Sequence, residues 1–314
     1  MPSLRLFRVL AFTFLLVGCG SPPSDGANDP GYRFELAWGE AGTEPGQFDE
    51  PIGLAITGGR LFVSETGNNR IQVFDLQGRF LNAVGGDSLR RPMHLDAHDG
   101  RLYVPAYLDD RIHVISLDGD AGRSIGGAGR GDDAFDAPAG VAVAENGDVY
   151  VAEFFKHRVQ VVSPEGTTFR SFGRGGEEGP APGQFTYPTD VALAPGGRVV
   201  VADAYNNRIQ MLEGDGTVVW IRPETTTEAG TSDGRFNVAT AVEVGPDDRI
   251  YVADFFNHRI QVFSQDGEFI GAFGSHGSRE GRFERPADIA FDEAGNLYVA
   301  DFGNDRIQKF TPVN

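Results

Sequence analysis

Three side chains in this sequence have the types and placement to share one metal ion: His94, Asp190 and Asp288. Each stands at the same point of a recurring segment, in Pro92-Met93-His94, Pro188-Thr189-Asp190 and Pro286-Ala287-Asp288, while Gly53, Gly140 and Ala241 hold that point in the other copies. One imidazole and two carboxylates suit Ca²⁺ weakly, or Zn²⁺, Mn²⁺ or Fe²⁺ with positions left for water. An aspartate at the start of a buried strand also accepts backbone N–H bonds without a metal, so both roles stand open. The chain has no cysteine set for zinc and no HExxH.

The elements that must position these residues come from the repeat itself. Aligning VADFFNHRIQVF (252–263) with its counterparts gives six copies, centred on Arg70, Arg111, Arg158, Arg208, Arg259 and Arg306, at intervals of 41, 47, 50, 51 and 47 residues. Within the fifth, ATAVEV, RIYVAD, HRIQVF and EFIGAF read as four strands separated by turns rich in Gly, Asp and Asn. A period of this length made of short strands specifies an all-β fold, a six-bladed β-propeller of four-stranded antiparallel blades. The candidate metal ligands then fall on blades two, four and six, about 120° apart around the central channel.

The sixth copy ends at Asn314, just after its third strand. FELAWGEAGTEPGQF (34–48) matches FIGAFGSHGSREGRF (269–283) in length and in the places of Phe, Gly and the final aromatic. The N-terminal strand is therefore expected to complete blade six and close the ring.

Pro45-Gly46-Gln47-Phe48, Pro51-Ile52-Gly53, Val63-Ser64-Glu65 and Asn69-Arg70-Ile71-Gln72-Val73 resemble the NHL-repeat propellers, and the resemblance runs over 34–314. It implies the fold strongly and the function weakly. The family includes an amidating lyase whose zinc histidines directly follow the opening proline of two blades. Here Met93, Thr189 and Ala287 fill those places and His94 is one residue later, which argues against that activity. His157 and His258 resemble the family's Asn-His-Arg phrase and read as packing residues. His98, His113 and His276 show no ligand spacing.

Five blades place an acid five residues before the arginine: Glu65, Glu153, Asp203, Asp254 and Asp301. Such a pair spans one tight connection, so Glu65–Arg70, Glu153–Arg158, Asp203–Arg208, Asp254–Arg259 and Asp301–Arg306 are expected to be structural clamps. Blade two has Val104-Pro105-Ala106 instead, which predicts a locally irregular blade or a re-paired edge and leaves Arg111 to Asp109 or Asp110. The loops between second and third strands carry Tyr107, Phe154, Phe155, Tyr205, Phe255, Phe256 and Phe302. These aromatics either pack between blades or form a face for a protein or peptide.

At the N-terminus, Arg5 and Arg8 precede an apolar run, and Leu16-Val17-Gly18-Cys19 resembles a bacterial lipobox. Residues 1–18 read as a lipoprotein signal peptide, 19–30 as lipidated Cys19 with a flexible Pro- and Gly-rich tether, and 31–314 as the propeller. Gly20 following Cys19 implies, by resemblance to enterobacterial sorting, an outer-membrane anchor with the domain facing the periplasm or cell surface. Cys19 is the single cysteine, so no internal disulfide is expected. Cleavage removes two arginines and no acid, leaving 25 basic against 45 acidic residues, a net charge of −20. That charge repels phosphate backbones and excludes nucleic acid as a partner. The sequence thus points to an extracytoplasmic, membrane-anchored binding, scaffold or sensor propeller recognising a protein, peptide or small ligand on its loop face. A metal-dependent hydrolase, lactonase or lyase using a central-channel Ca²⁺ or Zn²⁺ site is the alternative.

Overall fold

A computed structural model describes residues 30–313 apart from 86–88, 128–130, 132–133, 174–175 and 226. The signal peptide, Cys19 and all but the last residue of the tether lie outside the described residues. The described strands form six four-stranded antiparallel sheets arranged as a propeller. Blades one to five follow chain order over 51–85, 96–126, 138–172, 190–222 and 239–273. Blade six takes Pro286–Phe291, Leu297–Asp301 and Arg306–Pro312, and its outer strand is the N-terminal Tyr32–Trp38, with Phe34 opposite Phe310 and Trp38 opposite Ile307. The closure expected from the matched segments is the one observed.

Apolar residues run through the strands because both faces of each sheet are covered. Phe62, Val73, Leu102 and Val104 form one cluster across blades one and two, and Val200, Met211, Phe236 and Val252 one across four and five. The aromatic that precedes each first strand, Phe48, Phe135, Phe185, Phe236 or Phe283, is fully buried at a blade seam, and Leu89 takes that place in blade two.

A second seam device repeats six times. The residue just before each repeat arginine has positive φ, and its side chain accepts the backbone N–H of a residue in the next blade's entry loop that also has positive φ. Asn69 serves Arg91, Asp110 serves Ala137, His157 serves Tyr187, Asn207 serves Val238, His258 serves Arg285 and Asp305 serves Glu50, over 2.8 to 3.3 Å. The position needs an acceptor on a short side chain that tolerates the left-handed region, which selects Asn, Asp and His. His157 and His258 fill it through Nδ1, so that nitrogen carries no proton, and burial lowers the pKa of both rings. They are blade-to-blade links rather than the simple packing residues expected from sequence.

Candidate functional site

The first strands bring His94, Asp190 and Asp288 together at the centre, all three buried. One ligating atom from each lies within 4.8 Å of the others. His94 Nδ1 is 3.4 Å from Asp288 Oδ2, yet this buried nitrogen has no hydrogen-bond partner of acceptable geometry. The carboxylates also brace the ring. Asp288 accepts the N–H groups of Leu54 and Ile289, both at 2.8 Å, and Asp190 that of Val242 at 3.0 Å, so each ties its own blade to the next.

Small residues in the alternate blades make room for the three. A Cβ on Gly140 would fall 2.5 Å from Asp190 Oδ1, and one on Gly53 2.4 Å from the Met93 carbonyl. His94 sits where blade two departs from the others. Pro105 takes the second-strand place held by Ser64, Ala152, Ala202, Ala253 and Ala300 elsewhere, and the first strand of blade two forms a ladder only over Asp96–His98, with an isolated bridge between Pro92 and Ala106. The N–H of His94 donates instead to Ala139 in blade three, at 3.1 Å. The irregularity expected from Pro105 therefore coincides with the one imidazole of the site.

A cavity of about 230 Å³ opens from the triad along the first strands. Its walls run from His94, Asp190 and Asp288 toward Ile56, Leu193 and Phe291, on the side of the turns joining first to second strands. At the opposite end, side-chain links from Ser64 to the Met93 carbonyl (2.7 Å) and from Thr189 to the Thr240 carbonyl (2.8 Å) draw neighbouring blades together. Asp96 and Glu243 line the same cavity. Sequence reasoning missed both, although each lies two residues beyond the aligned channel position, the next inward place on a strand of period two.

Four carboxylates and one imidazole thus share a cavity whose lining includes no Lys or Arg. Burial pushes Asp190 up to about 7, with Asp288 adding to the shift and His94 opposing it. Burial, then Asp96, Asp288 and Asp190, hold Glu243 well above the usual carboxylate range. For His94 burial acts downward, and the carboxylates of Asp288 and Asp190 outweigh it, raising the imidazole. Buried groups of one sign are stabilised by a bound cation or by keeping protons.

The five acid–arginine pairs form within the blades. Glu65–Arg70, Glu153–Arg158, Asp203–Arg208, Asp254–Arg259 and Asp301–Arg306 close at 2.6 to 2.9 Å on fully buried acids. Arg111 does not receive the carboxylate expected for it among the described residues. Its Nε reaches the Asp109 carbonyl at 3.3 Å, while Asp110 is committed to the Ala137 N–H. The expected aromatic face is also partly an interior. Tyr107 and Phe154 are buried against each other and beside Phe155, because blades two and three close over them. Phe155, Phe255 and Phe302 are half-buried, and Phe255 packs on Phe302. Tyr205 and Phe256 remain open, at 49% and 47% exposure.

The structure also gathers His258, His276 and Glu284, which sequence spacing had not suggested. His276 Nε2 lies 2.5 Å from Glu284 Oε2. His258 Nδ1 already accepts the Arg285 N–H, so its neutral ring carries the proton on Nε2, and ligation there would require an imidazolate. This group is a hydrogen-bonded seam and not a metal site.

Fold and central cavity together define a six-bladed β-propeller with an acidic axial site. Five of its six blades match the NHL repeat, over 48–74, 135–162, 185–211, 236–263 and 283–310, one stretch in each of blades one, three, four, five and six. The B-box type zinc finger protein ncl-1 of Caenorhabditis elegans is 50% identical over 48 residues, 15% of this chain and 6% of that protein. The chain thus spans only a small part of that relative. Catalytically inactive virginiamycin B lyase from Staphylococcus aureus with quinupristin is similar in structure, with TM-score 0.62 and 17% identity over 89% of this chain and 99% of that one. A protein of unknown function from Bacteroides thetaiotaomicron has TM-score 0.71 and 15% identity over 90% of this chain and 75% of that one. At these identities the likeness concerns the fold.

Proposed function

We propose that this protein is a binding propeller whose ligand site is the central cavity, where His94, Asp190 and Asp288 hold a divalent cation. The observation that carries the reading is the buried Nδ1 of His94, 3.4 Å from Asp288 Oδ2 yet without a hydrogen-bond partner, beside two carboxylates in a cavity with no Lys or Arg in its lining. A cation would satisfy that nitrogen and offset the charge together. Full-length protein equilibrated with micromolar Ca²⁺, Mn²⁺ and Zn²⁺ should retain about one equivalent of one of them by mass spectrometry, and His94→Ala should bind it at least about tenfold more weakly with little change in melting temperature. Wild-type protein without bound metal would remove the site from consideration. A metal-dependent hydrolase or lyase is the second reading, favoured by Glu243, a carboxylate that accepts no hydrogen bond among the described residues and lines the same cavity. Docking of a protein or peptide, a common use of NHL propellers, has less support on the loop face because Tyr107 and Phe154 are consumed in packing.

The location belongs to the same proposal. The basic N-terminus, the apolar run and Leu16-Val17-Gly18-Cys19 support export and lipidation at Cys19. The lipid would be the domain's one hold on a membrane, with the net charge of −20 keeping the propeller off anionic surfaces. Wild-type protein is expected in the bacterial membrane fraction and Cys19→Ala in the soluble fraction. Equal partition of the two would defeat the anchor.

A further inference from the structure

One strand repeat beyond the triad the cavity changes character. The inward positions there are Ala55, Asp96, Ala142, Ala192, Glu243 and Ala290. Four alanines keep the bore wide, and the two acids stand on blades two and five, about 180° apart in a ring of six. Asp96 is fixed by the N–H groups of Ala97 and Val143, at 2.6 and 2.7 Å. Glu243 has no such bond among the described residues and faces a cavity whose far end holds the unpartnered His94 Nδ1. The volume of about 230 Å³ leaves space for more than a metal ion, roughly seven or eight water-sized groups.

We propose that this second tier recognises the ammonium or guanidinium end of a small molecule whose other end presents an oxygen anion to the cation at the triad. The ligand class is therefore a compact zwitterion of amino-acid type, and only the recognition of its anionic end rests on the metal reading above. A second metal ion fits the tier less well. Asp96 and Glu243 project from opposite blades and are not among the three residues whose ligating atoms cluster within 4.8 Å. An ammonium group directs three N–H donors to separate acceptors, which matches carboxylates set on opposite walls.

Calorimetric titration of the metal-equilibrated full chain with 4-aminobutanoate, butylammonium and butanoate separates the two ends. Both ammonium probes should bind, and butanoate should bind at least about tenfold more weakly than 4-aminobutanoate. Glu243→Gln should weaken both ammonium probes about tenfold or more while leaving metal content unchanged. His94→Ala should weaken 4-aminobutanoate and spare butylammonium. Binding of butanoate as tight as that of 4-aminobutanoate, unchanged affinities in Glu243→Gln, or no ammonium binding up to roughly 10 mM would overturn the proposal. Loss of ammonium binding in Glu243→Gln, in a protein that holds no metal, would defeat the metal reading alone and keep this one.

Discussion

Asp203→Ala is expected to cost about 3–5 kcal/mol of folding stability, one of the two largest effects that follow from the structure. The carboxylate is fully buried and Arg208, at 2.6 Å, is 5% exposed, so truncation leaves a guanidinium in the interior without its counter-charge. It also removes the acceptor for the Thr186 N–H, the Asn206 amide and the Gln210 amide, at 2.7 to 3.1 Å. Arg208 holds the carbonyls of Pro180, Ala181 and Gln184, and Asn206 that of Gly179, so the acid anchors the whole entry loop of blade four. Asp118→Ala, which breaks an exposed pair with Arg60 at 3.1 Å, is the matched control and should cost about 0–1 kcal/mol. Denaturant unfolding of both variants measures the difference. Equal, small losses would mean that the repeated acid does not hold the loop.

That network explains why the fold was readable. Every blade but the second repeats the acid, the asparagine or its substitute, the arginine and the glutamine at fixed spacing, because one loop geometry is solved repeatedly with the same atoms. Selection of Asn, Asp or His just before the arginine was visible in the sequence, yet its cause was not, since the N–H it serves lies in the next blade, 27 residues onward for His258 and Arg285. The site was half legible for a related reason. His94, Asp190 and Asp288 stood out by breaking a column of Gly and Ala at one aligned position. Asp96 and Glu243 break the next inward column in the same way, and only tracing the strand two residues further would have found them. Burial of Tyr107 and Phe154 depends on how blades two and three lean together, which is a matter of packing and not of pattern.

Removing the N-terminal strand should be the most damaging change of all. A chain lacking 1–39 loses Tyr32–Trp38, the outer strand of blade six, while one lacking 1–30 keeps it. Tyr32 packs on Tyr251 and Phe273, Phe34 on Phe310, and Trp38 on Phe74 and Tyr298, so these rings join blade six to blades five and one. Truncating a core aromatic costs about 3–5 kcal/mol, and three half-buried ones with their ladder bonds come to about 5–8 kcal/mol. A domain's whole stability is about 5–15 kcal/mol. The shorter chain also exposes Arg306–Pro312 as an unpaired edge, a template for pairing with a second molecule. Circular dichroism melting and size-exclusion chromatography should therefore show a cooperative monomer for the chain beginning at residue 31. The chain beginning at residue 40 should show a lost or sharply lowered transition with concentration-dependent association. A monomer of near wild-type melting temperature in the latter case would mean that blades one to five hold the ring closed without the N-terminal strand.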